Sequence, residues 1–279
     1  MLPESRRFRL ASMTQTKKPD WRKRIERAID LAGRHPSAAE VLAFYRRILE
    51  FQKTIYDGIS SRPALVGNRE AGFRQQLDVD AAVQQLPALL SLVQKSGPSK
   101  LASQAAEINR TSSEQQRQML ADFLAGGDNA GPSSFFARVL FQPYAEYLAA
   151  APAAQLAGFS GSVCPVCSAK PQVAVLRPEG DGGKRFLVCS FCLTEWEFRR
   201  ILCPLCGEED YQKLPRYSAE DLAAARVEAC DTCKYYLKSV DMTVDGHAIP
   251  LVDEIATVPL DLWAAEHGYT KISLNLMGF

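Results

Sequence analysis

LVCSFCLTEWEFRRILCPLC, residues 187–206, holds four of the chain's eight cysteines in two CxxC pairs, Cys189/Cys192 and Cys203/Cys206. Whether these four close around one ion or belong to two ions decides the architecture. The ten residues between the pairs, LTEWEFRRIL, contain no Gly, Pro, Asn or Asp. Thr194, Trp196 and Phe198 alternate with Glu195, Glu197 and Arg199, which predicts a strand. Such a strand spans ~30 Å at ~3.3 Å per residue. Four thiolates on one ion lie only ~2.3 Å from it. The two pairs are therefore expected to serve different ions.

The partners lie outward. CPVC supplies Cys164/Cys167 and CDTC supplies Cys230/Cys233, which completes the cysteine inventory. QVAVL and KRFLV flank RPEGDGG, whose Gly and Asp content predicts a hairpin that brings Cys189/Cys192 back to Cys164/Cys167. TEWEF is then the third strand of a four-cysteine ribbon. The plan repeats: Cys203/Cys206 open a second unit, SAEDLAAAR is read as a short helix capped by Ser218, VEACDTC closes it, and YYLKSVDM is its third strand. The expected metal ligands are Cys164, Cys167, Cys189 and Cys192 at one site and Cys203, Cys206, Cys230 and Cys233 at the other. An interleaved arrangement, first pair with third and second with fourth, is the alternative. Four thiolates suit either iron or zinc, and the CPxC pairs at Cys164 and Cys203 occur in rubredoxin-like knuckles and zinc ribbons alike.

Residues 1–150 contain no cysteine and read as a helical domain. WRKRIERAIDLAGR carries Trp21, Ile25, Ala28, Ile29 and Ala32 at helical spacing. In the segment after it, Ser37 and Glu40 are spaced as a capping box, and Val41, Phe44, Ile48, Phe51, Ile55 and Ile59 form an apolar stripe. DVDAAVQQLPALLSLVQKS predicts a helix interrupted at Pro87. Thr111 and Glu114 are spaced to cap another helix, which ends at Gly126–Gly127. In PSSFFARVLFQPYAEYLAAA, Phe136, Leu140, Tyr144 and Tyr147 share one face, with a kink expected near Pro143. The first 27 residues hold nine basic and three acidic side chains, and the first ~20 read as a solvated tail. Residues 151–162 are the expected linker, 163–200 the first ribbon, and 201–279 the second ribbon with a C-terminal packing segment. The fold class is thus multidomain α + β, a helical domain followed by tandem rubredoxin-like or zinc-ribbon-like four-cysteine domains.

Composition narrows function. Net charge is +1, so no bulk field points to nucleic acid or an anionic membrane. Between Cys164 and Asp241 there are eleven Lys/Arg and twelve Asp/Glu, and each four-thiolate site would add about −2. An acidic ribbon half argues against a phosphate-tracking surface. No stretch approaches the ~20 apolar residues of a membrane span or resembles a secretory signal. A cytoplasmic location is expected, where reduced thiols favour metal over disulfides. His35, His247 and His267 sit at helix ends or turns, and Asp253, Glu254 and Asp261 have no acid/base spacing. No phosphate loop or hydrolase motif occurs, so the chain is not expected to be an enzyme. A rubredoxin-like electron carrier and a zinc-ribbon nucleic-acid binder are the alternatives.

The four CxxC pairs, CDTCKYYLK and the ending PLDLWAAEHGYTKISLNLMGF together resemble the FdhE family, the formate dehydrogenase accessory proteins. The likeness is loose over the helical half and close over residues 163–279. It implies a cytoplasmic maturation factor, without turnover of its own, required for active respiratory formate dehydrogenase. It implies two metal ions, iron favoured over zinc, bound by the eight cysteines. It also implies contact with the molybdenum- and iron–sulfur-containing catalytic subunit, without membrane insertion or nucleic acid, and with a homo-oligomer left open.

Overall fold

The computed structural model describes residues 19–61, 72–126, 132–150, 156, 158–180 and 182–279. The basic tail up to residue 18 and half of the expected linker lie outside them. Six helices come first: α1 (Trp21–Arg34), α2 (Ala39–Ser60), α3 (Val79–Ser96), α4 (Ser99–Asn109), α5 (Ser113–Gly126) and α6 (Pro132–Ala149). Asp20 caps α1 by accepting from the Lys23 amide, and Asp78 caps α3 by accepting from the Ala81 amide.

Two expected caps fall elsewhere. Pro36 starts a 3₁₀ turn (Pro36–Ala38) that takes in Ser37, so α2 begins at Ala39 without a side-chain cap. The capping box of α5 sits one residue later than the spacing suggested. The Ser112 hydroxyl accepts from the Gln115 amide, and the Gln115 side chain accepts from the Ser112 amide. Nor does Pro87 interrupt its helix. An internal proline costs about 3 kcal/mol, but α3 buries Leu86, Leu89, Leu90 and Val93 around it, each contributing roughly 1.5–3 kcal/mol. Burial wins, and α6 likewise continues across Pro143 as one helix. On α6, Phe136, Leu140 and Tyr144 are buried as the stripe predicted, and Tyr147 meets Tyr56 of α2 edge-on. SKLASQAAEIN, which forms α4, was not anticipated.

The second half builds one sheet. Its strands are β1 (Pro171–Glu179), β2 (Gly182–Cys189), β3 (Glu195–Glu197), β4 (Arg216–Ser218), β5 (Ala225–Ala229), β6 (Tyr235–Asp241) and β7 (Thr270–Lys271). They are ordered β3-β2-β1-β6-β5-β4, with β7 also on β6. The predicted β1–β2 hairpin is present, and β3 adds to it antiparallel. The two three-stranded units join where β1 pairs with β6 in parallel, Val173 opposite Lys238 through Leu176 opposite Asp241. Tandem ribbons thus share a continuous backbone ladder. Alternation along the strands sends Ala174, Leu187 and Leu237 into the core shared with the helices, and Val173, Val175, Val188 and Val240 to the opposite face.

Two local expectations fail. The turn-free segment after Cys192 is strand only over Glu195–Glu197. Beyond Phe198 the chain bends, because the buried Arg185 guanidinium donates to the carbonyls of Arg199 (3.0 Å) and Leu202 (3.3 Å). SAEDLAAAR makes only a 3₁₀ turn (Glu220–Leu222). Ser218 belongs to β4, where pairing with Arg226 on β5 overrides its capping preference.

Two short helices, α7 (Pro250–Ala256) and α8 (Val258–Glu266), return over the sheet. Leu260 and Ala264 of α8 are buried against Val227, Ala229 and Tyr236, with Trp263 beside them. Arg27 of α1 bridges to Asp253 of α7 and to Asp245, fastening the helical half to this return. No described helix is long and apolar enough to cross a membrane.

Candidate metal centres

Each CxxC pair folds into the same turn. The residue after the second cysteine takes a left-handed conformation in all four: Ser168 (φ 61°), Leu193 (φ 59°), Gly207 (φ 78°) and Lys234 (φ 60°). Ser168, Leu193 and Lys234 are the only non-glycine residues with positive φ among the described residues. That conformation is costly for a side chain bearing Cβ, so its recurrence marks four turns shaped by one requirement. The first cysteine of each pair donates its amide across the turn: Cys164 to Ala169 (2.8 Å), Cys189 to Thr194, Cys203 to Glu208 and Cys230 to Tyr235 (2.9 Å each). Inside the turns, the amides of Val166, Phe191 and Leu205 point at the sulfurs of Cys164, Cys189 and Cys203 at 3.3–3.4 Å. Such N–H groups stabilise thiolate charge.

The turns then meet in twos. Cys164 Sγ lies 3.5 Å from Cys192 Sγ and Cys167 Sγ 3.3 Å from Cys189 Sγ. Cys203 Sγ lies 3.8 Å from Cys233 Sγ and Cys206 Sγ 3.6 Å from Cys230 Sγ. Within each set of four, all sulfurs fall within 4.8 Å of one another. The interleaved grouping is not found. Disulfides, with sulfurs ~2.05 Å apart, do not describe these contacts. A tetrahedral ion with ~2.3 Å bonds places its sulfurs about 3.8 Å from each other. Both clusters fit that dimension, and each could hold one metal ion. Among the described residues, no histidine or carboxylate joins either set.

The electrostatics of the first cluster point the same way. Hydrogen bonds from the Cys167, Cys189 and Cys192 thiols push the Cys164 pKa down, while burial pushes the Cys189 and Cys192 thiols well up. Four buried thiolates cannot ionise side by side unless a cation balances them. At the second cluster, burial pushes Cys233 up as well.

The surroundings of the two clusters differ. Cys164, Cys167, Cys189 and Cys192 are all buried within the core that the helices share. Phe191, between two of them, meets Phe123 of α5 edge-on. Arg138 of α6 donates to the carbonyls of Ser190, Leu274 and Asn275, tying helix, turn and tail together. At the second cluster, Cys206 is exposed and Cys233 half-buried. Glu208 accepts there from the Thr232 hydroxyl (2.5 Å), and Asp231 accepts from the Tyr269 hydroxyl (2.8 Å).

Sequence reasoning missed a buried charge cluster behind the second ribbon. Lys238 of β6 and Lys271 of β7 share the carboxylates of Glu254 and Asp261. Asn275 donates to Glu254 (2.6 Å) and Tyr236 donates to Asp261 (2.8 Å). Burial would raise the Asp261 pKa, but the Lys238 and Lys271 charges hold it low. No spacing revealed this, because its members come from β6, α7, α8, β7 and the tail. The histidines remain peripheral: His35 ends α1, and His267 stacks on Trp263 at the end of α8.

Fold and clusters together define a two-site four-cysteine protein of the rubredoxin and zinc-ribbon kind, mounted on a helical body. Residues 163–200 match the central domain of FdhE, and residues 201–277 match its C-terminal domain. An FdhE homologue of Aquifex aeolicus is 28% identical over 260 residues, covering 89% of this chain and 92% of the relative. One from Pseudomonas aeruginosa is 37% identical over 125 residues, 42% of this chain and 40% of the relative. The crystal structure of the FdhE protein from Pseudomonas aeruginosa superposes with a TM-score of 0.71 at 25% identity, over 94% of this chain and 97% of that one. The chain thus carries the central and C-terminal domains of FdhE and is similar to FdhE proteins over most of its length.

Proposed function

We propose that this chain is a cytoplasmic accessory factor for the maturation of respiratory formate dehydrogenase. On this reading Cys164, Cys167, Cys189 and Cys192 hold one ion and Cys203, Cys206, Cys230 and Cys233 the other. The ions are iron, with zinc able to substitute, and the protein contacts the dehydrogenase's catalytic subunit without catalysing a reaction itself. The observation that carries it is the pair of preassembled four-thiolate clusters in a chain with FdhE domains. Soft thiolate donors suit iron and zinc alike. Iron suits a redox task, which redox-inert zinc cannot perform. Likeness to a family of formate dehydrogenase accessory proteins supplies the client.

The exposed Cys206 favours a second reading, a rubredoxin-like electron carrier, since a solvent-near site exchanges electrons readily. Co-purification separates the two. Tagged protein should retain the catalytic subunit in a stable complex, and serine replacement of both cysteines of any pair should abolish formate dehydrogenase activity in a dependent cell. Rapid multiple-turnover electron transfer with no stable complex would overturn the maturation reading.

A further inference from the structure

A groove of about 1710 Å³ is walled by the helical half on one side and the C-terminal tail on the other. Small-molecule sites enclose ~300–1,000 Å³, so this one has room for a segment of polypeptide. Val41, Phe44, Leu101 and Phe135 line the helical wall, and Ile272 and Leu274 line the tail wall. Charge along the groove is one-sided. Seven lysines and arginines line it against a single acidic side chain, Glu40, although the whole chain balances 33 basic residues with 32 acidic.

Arg47, Lys95, Lys100 and Lys170 are exposed there and have no carboxylate partner among the described residues. Some exposed cations elsewhere find one, as Lys53 does on Asp57 and Arg117 on Asp80, while Arg22 and Arg110 have none among the described residues. It is the clustering of four such cations along one groove that is distinctive. The wall also holds an unsatisfied donor. Ser190 is 2% exposed, and its hydroxyl has no hydrogen-bond partner among the described residues. A buried hydroxyl left unpaired costs about 1–3 kcal/mol, which a bound hydrogen-bonding group would recover.

We infer that the groove binds an acidic polypeptide segment with apolar anchors, contributed by a partner protein. Its carboxylates would meet Arg47, Lys95, Lys100 and Lys170, its apolar side chains would fill the space between Phe44, Leu101 and Leu274, and a polar group would reach Ser190. The chain's own first 18 residues are a poor occupant, since five basic residues there face one acidic. Phe44, Phe123 and Phe135 could stack on bases, but Val41, Leu101, Ile272, Leu274, Leu276 and Met277 between the cations offer nucleic acid no stacking partner and suit apolar side chains instead. Cys167 also lines the groove, so the bound segment would lie against the rim of the first cluster. The inference rests on wall chemistry and does not depend on which metal, if any, the clusters hold.

Selection of random peptides displayed on phage against the full chain tests it, with synthesised hits measured by fluorescence anisotropy. Enriched peptides should be net acidic with apolar residues. Their affinity should fall roughly tenfold or more on Lys95→Glu/Lys100→Glu and fall again at high salt. Arg47→Glu, at a separate exposed position, should weaken them too, and the melting temperature of each variant should match the parent's. No enrichment, no acidic bias, or unchanged affinity for both charge-reversed proteins would overturn the inference. Labelled single-stranded DNA that binds more tightly than any peptide, and is lost in the same variants, would overturn it in favour of nucleic acid.

Discussion

Cys164 Sγ and Cys192 Sγ lie 3.5 Å apart although 28 residues separate them in the chain. The β1–β2 hairpin makes that contact, and the second ribbon repeats it between Cys203 and Cys233 across 30 residues. The clusters are therefore equivalent in construction and unequal in setting, one enclosed by the helical core and one at the surface.

That inequality sets metal exchange. With Cys206 exposed, a chelator can attack the second site directly, whereas release from the first requires the core around Phe191 to open. A loaded protein mixed with excess chromogenic chelator should release one ion quickly and one slowly. Cys206→Ser/Cys233→Ser should remove the fast phase and leave the slow one. A single phase carrying both ions would contradict the assignment.

The buried charges behind β6 should be fragile to single substitution. Lys238 is fully buried between the carboxylates of Glu254 and Asp261. Lys238→Met leaves them short of a counter-charge, and breaking such a buried pair costs about 3–5 kcal/mol. Urea unfolding should show a midpoint lowered accordingly, with both metal ions still bound before the transition. A loss under about 1 kcal/mol would show that the cluster is not stabilising the fold.

Acid should act through Glu228, which pairs with the buried Arg185 at 2.8 Å. Burial pushes its pKa up, but the Arg185, Arg226 and Arg216 charges outweigh this and hold it below the ordinary 4.5. A depressed carboxylate stabilises the fold fully above the unfolded value, and the contribution disappears as pH falls through the folded one. Comparison with Glu228→Gln isolates this contribution from acid release of metal. The variant should be weaker by about 1–3 kcal/mol near neutrality, and the gap in urea midpoint should close as pH drops below 4.5. A gap that is constant with pH would place the effect in packing instead.

The clusters were legible because CxxC spacing and a Gly-rich hairpin are local signals. Cys189 finds Cys167 through RPEGDGG, which a sequence displays openly. The bend between Phe198 and Cys203 was not legible, because Arg185, on the neighbouring strand β2, makes it. The failure of SAEDLAAAR to form a helix has the same origin, since β5 captures Ser218 by pairing that no local propensity encodes. The left-handed turns after each pair were signalled only by Gly207; Ser168, Leu193 and Lys234 carry side chains that ordinarily avoid that conformation. The parallel junction of β1 with β6 and the Lys238–Asp261 cluster depend on residues far apart in sequence, and only the assembled sheet shows them.

Metal counting on paired variants tests the central claim most directly. Protein purified without oxygen should contain two ions per chain by elemental analysis, with the visible absorption of iron held by four thiolates. Cys189→Ser/Cys192→Ser should retain one ion, and Cys203→Ser/Cys206→Ser should retain the other. Two ions lost together in either variant, or two ions kept in both, would contradict two independent four-cysteine sites.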